Sequence, residues 1–253
     1  MKPIQKKAAD WTAENIAGFW DWYSKNARAQ KSYFTVVMAP GITKFLTKKN
    51  LLKGAVLDYG CGSGHLLLQM VKEAGTDFYG VDFSEDSITV AEKKLQPYAN
   101  CKQLVTIAQL PTVFSDAMFN TITLIETLEH LQNETLQETM HEIHRILKKG
   151  GKLFITTPFN EDLDAHTVFC PFCKSEFHHM QHMQSFTVES ISSLATQHQF
   201  VVEYCDNIDI EKYRLGPVKF FIKKTLKKIA IAAGLKDKEA LQERNLVAIF
   251  SKP

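Results

Sequence analysis

The run Val56-Leu57-Asp58-Tyr59-Gly60-Cys61-Gly62-Ser63-Gly64 constrains this chain more than any other stretch. Apolar strand formers lead into an acid, three glycines follow at alternate positions, and a helical pattern occupies 66–74. Glycine has no Cβ, so such a loop turns tightly and lets its backbone approach a ligand closely. One strand further on, Tyr79-Gly80-Val81-Asp82-Phe83-Ser84 sets an acid at a strand end, the place where a ribose hydroxyl pair is held in folds of this kind. Alone, the glycines are an ordinary turn and Asp82 is a helix-capping acid near Ser84. Together and in register they predict a site for a nucleoside-bearing ligand.

Strand and helix patterns alternate through the middle of the chain. Strands are predicted at 56–57, 78–81, 104–107, 121–125 and 152–157, with helices at 66–74, 84–95 and 134–147. A helix at 187–198 and strands at 200–204 and 245–251 complete the pattern. This alternation predicts an α/β fold: a doubly wound, mostly parallel seven-stranded sheet with helices on both faces and ligands at the carboxyl ends of the strands. A chain of 253 residues that is 45% hydrophobic fills one sizeable core with room for appendages. The expected organisation is a helical cap over 1–50 and a ligand-binding domain over 51–253, with insertions at 160–186 and 206–244.

Trp11, Ile16, Phe19, Trp20 and Tyr23 recur at near-helical spacing, which reads as an amphipathic helix packed on the core or as a lid over a substrate. The segment 160–186 lacks apolar periodicity and concentrates cysteine and histidine. Within it, Cys170-x2-Cys173-x4-His178-x3-His182 has a spacing that zinc uses, with Pro171 suited to a knuckle turn; a small packing cluster with surface histidines is the alternative. In 218–233, Phe220, Phe221, Ile222, Leu226, Ile229 and Ile231 alternate with five lysines. This basic amphipathic helix would pack its apolar face inward and solvate its lysines, or lie on a membrane surface. The net charge, +2 from 30 basic and 28 acidic residues, gives no global reason to expect nucleic acid. No apolar run approaches the roughly 18 residues of a membrane span, and the five cysteines form no regular disulfide framework. A cytoplasmic protein, with membrane-peripheral contact as an option, is expected.

The glycine loop with its leading acid resembles that of the class I S-adenosylmethionine (SAM) dependent methyltransferases, which share a Rossmann-like sheet. The likeness runs from about Leu51 through Thr157. It implies that Asp58, Gly60, Cys61, Gly62 and Gly64 hold the methionine end of SAM, that Asp82 accepts hydrogen bonds from both ribose hydroxyls, and that Phe83 lies against the adenine. Thr106 and Ile107 follow the third strand of the unit and Ile125 ends the fourth, so both places border the cofactor. Two positions depart from the family pattern. The acid that often receives the adenine amino group is absent near Thr106, and the usual Phe-Asp entering the fourth strand is Phe119-Asn120.

The fourth strand runs into Ile125-Glu126-Thr127-Leu128-Glu129-His130. On a helical turn Glu126, Glu129 and His130 share a face, and two carboxylates with an imidazole suit a divalent ion such as magnesium, manganese or zinc. The cluster resembles that of ubiquinone-pathway O-methyltransferases and of small-RNA ribose 2′-O-methyltransferases; the second likeness adds His182, just ahead of Phe186-Thr187, as a further ligand. The implied chemistry is methyl transfer to an oxygen of a small, lipid-linked or carrier-linked acceptor, with His130 and Glu129 as catalytic groups and metal ligation or general-base action by His130 as the two routes. RNA ribose methylation and a non-catalytic SAM-binding regulator are the alternatives.

Overall fold

The computed structural model of the protein describes residues 7–235 and 245–253. In chain order its strands are β1 (Lys7–Ala8), β2 (Gly54–Tyr59), β3 (Thr76–Asp82), β4 (Cys101–Thr106), β5 (Phe119–Ile125), β6 (Leu147–Pro158), β7 (Thr167–Phe169), β8 (Ser175–His178), β9 (Val201–Ile208) and β10 (Asn245–Ser251). Its helices are α1 (Ala13–Lys25), α2 (Phe34–Lys48), α3 (Leu67–Met70), α4 (Glu85–Leu95), α5 (Asn133–Ile146), α6 (Val188–Gln197), α7 (Glu211–Leu215) and α8 (Pro217–Ala232).

Seven strands make the central sheet in the order β4-β3-β2-β5-β6-β10-β9, parallel throughout except for β10, which runs antiparallel to both of its neighbours. The doubly wound sheet expected above is therefore present. Successive side chains of a strand face opposite ways, and β2 shows the result. Leu57 and Tyr59 join a cluster with Leu136, Met140 and Ile143 of α5 and Ile191 of α6, while Val56 joins Ile42 and Phe45 of α2, Met70 of α3 and Ala91 of α4 on the other face. Burial of each such large apolar side chain contributes about 1.5–3 kcal/mol, so both faces are anchored and the strand register is fixed. The order of strands reverses between β2 and β5, and a crevice opens there at the carboxyl ends.

Local chemistry sets the element ends. Ser84 caps α4 by accepting the Ser87 N–H, and Thr187 with Ser190 forms a reciprocal capping box for α6. The helix expected over 66–74 shrinks to Leu67–Met70 and continues as turns to Gly75, whose φ is +75°. One helical turn is enough to bury Leu66, Leu67, Met70 and Val71. Asn120, at the Phe-Asp position of the family pattern, accepts hydrogen bonds from the Ala55 N–H and Lys148 Nζ and so ties β5 to β2 and β6.

Residues 1–50 divide. Residues 1–6 lie outside the described residues. Helix α2 buries Ile42, Phe45 and Leu46 in the sheet's core, whereas α1 has only Ser24 fully buried. The 160–186 insertion leaves and rejoins the core where Phe159 bridges Phe186 and the Asn160 N–H bonds the Phe186 carbonyl at 2.8 Å. Inside it β7 and β8 form an antiparallel hairpin, and β8 takes β1 as a parallel neighbour. A two-residue strand carries no readable period, so this joining of two distant segments was invisible in the sequence.

Helix α8 forms within the predicted range, but its apolar face does not pack inward. Val218, Phe221, Ile222, Leu226 and Ile229 are each more than half exposed, while Phe220, Lys224, Lys227 and Ile231 take the less exposed side. Residues 236–244, the end of the expected 206–244 insertion, lie outside the described residues. Among those described, no helix is long and apolar enough to cross a membrane.

Candidate active site

The loop after β2 turns on Gly60, Gly62 and Gly64, whose φ angles are +79°, +49° and +74°. L residues with a Cβ rarely adopt such angles. A Cβ on Gly60 would stand 2.7 Å from Thr127 Oγ1, but one on Gly62 would meet nothing within 4 Å. Gly62 therefore borders open space and can admit a ligand against its backbone. The loop hangs from β3: the Gly60 and Cys61 N–H groups bond the Val81 carbonyl, and the Gly62 N–H bonds Asp82 Oδ2 at 2.8 Å. The other oxygen of Asp82 accepts the Ser84 N–H at 2.9 Å. Asp82 thus anchors the glycine loop and the entry to α4 without capping that helix, whose N-cap is Ser84, and a carboxylate with about four acceptor sites keeps capacity for a ligand's hydroxyls.

Asp58 accepts a 2.7 Å hydrogen bond from Thr123 Oγ1. Burial pushes the Asp58 carboxyl up to about 7 and that of Asp82 up to about 6. Among the described residues neither carboxylate is ion-paired with a side chain, which leaves burial as the main influence on both. Around them, Cys61 and Ile125 are buried, Thr106 ends β4 beside Asp82, the Ile107 N–H bonds the Asp82 carbonyl, and Phe83 presents a partly exposed ring. Every predicted cofactor residue lies at this end of the sheet, on β2, β3, β4, β5 or the loops that follow them.

Beyond β5 the chain turns sharply. Glu126 has φ +46°, a strained value for a residue with a side chain, and a 3-10 turn follows at Leu128–His130. The helical turn expected to include Glu126 starts only after it. Glu126 Oε1 instead accepts from Thr156 Oγ1 at 2.8 Å, with its carboxyl pushed up to about 7 by burial. Three of the four expected ligands, Glu129, His130 and His182, do gather, with their ligand atoms within 4.8 Å of one another; Glu126 stands outside the group.

Within the cluster Glu129 Oε2 accepts from Thr157 Oγ1 at 2.9 Å, while buried Oε1 has no hydrogen-bond partner. His130 Nε2 is 4.0 Å from that oxygen, and His130 Nδ1 faces the Gln181 carbonyl at 3.4 Å. Burial and the neighbouring His182 push His130 down to about 3, so the ring is neutral at physiological pH. Glu129 is raised by burial and by Glu126. An orphaned carboxylate oxygen beside neutral His130 and the His182 ring is a donor set that suits a divalent ion.

The cap and the insertion close over this cluster. The Trp20 ring meets His130 edge-on at 4.8 Å, and its Nε1 donates to Gln181 Oε1 at 2.8 Å. Fully buried Gln181 in turn donates to the His130 carbonyl. Tyr33 stacks on Trp20 and faces His65, while Trp11 packs on Phe177 of β8. The aromatic side of α1 therefore lies on the site and the insertion, as a lid does.

The zinc set drawn from the insertion is not assembled. Cys170 lies at the tip of the β7–β8 hairpin, where its N–H bonds the Ser175 carbonyl, whereas His178 pairs with Thr167 three residues further down. Strand geometry puts the two about 10 Å apart. Among the described residues, neither Cys170 nor Cys173 belongs to a group of three or more metal-capable side chains; His178 instead joins Glu161 and His182. Sequence reasoning missed Glu161, Gln181 and Tyr33. Nothing in their spacing marks them, because the topology alone brings them to the site.

A family model described as a methyltransferase domain matches residues 30–204. Over 105 residues the chain is 34% identical to a ubiquinone biosynthesis O-methyltransferase of Azoarcus sp., covering 40% of this chain and 43% of that protein. Over 128 residues it is 32% identical to a demethylmenaquinone methyltransferase of Chlorobaculum tepidum, covering 50% and 49%. The matched part thus spans less than half of each of these curated relatives. Among solved structures, the 1,6-didemethyltoxoflavin-N1-methyltransferase of Burkholderia thailandensis, with bound 1,6-didemethyltoxoflavin and S-adenosylhomocysteine, is similar in fold. Its TM-score is 0.65 at 16% identity, over 98% of this chain and 94% of that one.

Proposed function

The chain belongs to the methyltransferase-domain family, with the class I fold of SAM-dependent enzymes, and on that premise we propose that it methylates an oxygen of a small, lipid-linked or carrier-linked acceptor. The observation that carries the reading is Glu129 Oε1, buried and unpartnered beside neutral His130, across the crevice from the loop that Asp82 holds. Bound SAM supplies an electrophilic methyl group on its sulfonium. Asp58 and Asp82 provide the negative cradle for its cationic and hydroxyl groups, and Gly62 leaves room for close approach. In-line displacement mainly requires alignment and a free lone pair on the acceptor. The lid formed by Trp20 and Tyr33 excludes water and orients the acceptor above His130.

A divalent ion held by Glu129, His130 and His182 would supply Lewis acidity that favours a deprotonated acceptor. In a metal-free protein the base is His130, whose Nε2 lone pair is available because Nδ1 faces the Gln181 carbonyl. The relatives named for O-methylation in ubiquinone biosynthesis support a hydroxyl acceptor. The exposed stripe of α8, flanked by Lys219, Lys223 and Lys228, supports contact with an anionic membrane surface where a lipid-linked acceptor resides. An RNA ribose acceptor is the second reading, carried by the presence of His182 in the cluster; salt-sensitive binding of a short RNA would favour it. A SAM-binding regulator without turnover would be marked by biological activity undiminished in Glu129→Ala and His130→Ala.

The test is calorimetric titration with S-adenosylhomocysteine after metal analysis of the same sample. Saturable binding is expected, with one metal per chain if the ion route operates. A folded, metal-replete protein that binds no S-adenosylhomocysteine would overturn the proposal.

A further inference from the structure

Two groups of metal-capable side chains share His182: one with Glu129 and His130, the other with Glu161 and His178. A single imidazole does not ordinarily serve two ions, and the hydrogen bonds decide which group has the open donors. His178 Nδ1 accepts the backbone N–H of Met180 at 3.3 Å and of His182 at 3.2 Å. A neutral ring that accepts at Nδ1 carries its proton on Nε2, and a protonated nitrogen is no ligand. That Nε2 is buried without a hydrogen-bond partner and points at Glu161 Oε1, 3.5 Å away. The other oxygen, Glu161 Oε2, lies 2.5 Å from His182 Nδ1. The imidazoles of His178 and His182 stack with centroids 4.4 Å apart and planes 17° from parallel, so one carboxylate spans both.

We infer that Glu161, steadied by His178, is a positioning residue for a divalent-metal centre formed by Glu129, His130 and His182. By taking the Nδ1 proton of His182 in a hydrogen bond, Glu161 leaves Nε2 as the nitrogen that carries the lone pair. Outer carboxylates of this kind fix the tautomer and orientation of metal-bound histidines and raise their basicity. His130 has the matching arrangement, its Nδ1 facing the Gln181 carbonyl. Both rings are thus held from the insertion side, by residues on either flank of β8, and the cluster is complete only when the insertion is seated. The inference rests on the metal reading of the Proposed function and adds to it Glu161 and His178, which make no use of the cysteines.

The experiment is Co2+ titration of the 253-residue chain, followed by visible absorption and calorimetry, in the wild type and in Glu161→Gln, His178→Phe and Glu129→Ala. The expected result is one Co2+ per wild-type chain, none in Glu129→Ala, and a Kd weakened about 10- to 100-fold in Glu161→Gln. The Glu161→Gln protein should keep the wild-type absorption bands at saturation and its thermal midpoint, which separates loosened positioning from unfolding. Wild-type affinity in Glu161→Gln and His178→Phe, with binding still lost in Glu129→Ala, would overturn the supporting role while leaving the metal reading intact. Two ions per chain, or binding that survives Glu129→Ala and disappears in His178→Phe, would overturn it as well, by making Glu161 and His178 ligands themselves. A wild type that binds no Co2+ would remove the metal reading and this inference with it.

Discussion

On the proposed cofactor side of the crevice, each shaping residue lies at or next to the end of a strand of the central sheet: Asp58 is the penultimate residue of β2 ahead of the glycine loop, Asp82 ends β3, and Thr106 ends β4. On the acceptor side the residues arrive from far apart. Trp20 comes from α1, Glu129 and His130 from the turn after β5, Glu161 from the insertion's first residues, and Gln181 and His182 from beyond β8. The first surface is fixed by backbone ladders that also hold the core. The second is an assembly of side chains from separate segments, held by a few polar and aromatic contacts such as Trp20 Nε1 to Gln181 Oε1. A buried ladder leaves little room for change, whereas an assembled surface can be rebuilt piece by piece, which suits the side that must choose the acceptor.

The comparison predicts that changes on the two sides separate donor binding from transfer. Asp82→Ala removes the acceptor of the Gly62 and Ser84 N–H groups, and charge-assisted hydrogen bonds contribute about 1.5–3 kcal/mol each. Affinity for S-adenosylhomocysteine should fall about 100-fold or more, as read by calorimetry; unchanged affinity would break the assignment of the cofactor side. Glu129→Ala should do the reverse, leaving that affinity near wild type while turnover falls about 100- to 1,000-fold. If both quantities fell together in Glu129→Ala, the division into two sides would be wrong.

Smaller effects sharpen the contrast. The folded-state value of Asp58, about 7, exceeds the roughly 3.9 of an unfolded chain. The folded state therefore holds this proton more tightly, and the associated stability is full below the unfolded value and lost as pH rises through 7. Asp82 acts in the same direction near 6. The ligand-free protein should lose about 2 kcal/mol between pH 6 and 8, and Asp58→Asn should flatten that slope in thermal melts. Trp20→Phe keeps the ring contact with His130 but loses the N–H to Gln181. A turnover decrease of about 3- to 10-fold with normal donor affinity is expected, in line with one hydrogen bond. Changing Cys170 and Cys173 to serine together should move stability by less than about 1 kcal/mol and leave metal content unchanged; loss of metal would return the hairpin tip to the site.

These two sides also differ in how far they could be read in advance. Sheet order, the glycine turn and the acids at the ends of β2 and β3 follow from periodicity and local backbone demands, which are properties of contiguous residues. Glu129, His130 and His182 could be named because a motif carries them. The exclusion of Glu126 could not, since it depends on a single backbone angle of +46° that no pattern announces. Glu161 carries no signal, and spacing groups His178 with the cysteines because it counts residues along the chain while the hairpin carries Cys170 away. The outward-facing stripe of α8 escaped for the opposite reason. Its period is plain, but period alone does not say which face meets the protein.

The pairing of β1 with β8 has a consequence for engineering and for descent. A loop inserted between two core strands is an exchangeable cassette when only its two ends touch the scaffold. Here Lys7 and Ala8 are stitched along Ser175 and Glu176, and Trp11 rests on Phe177, so the cassette has a third seam more than 150 positions away in the sequence. Grafting 160–186 from a relative without its matching upstream segment would leave one seam open. Acceptor preference in this lineage should therefore be inherited in linked pairs of segments, and a chimera that moves both together is the unit that can carry a new specificity.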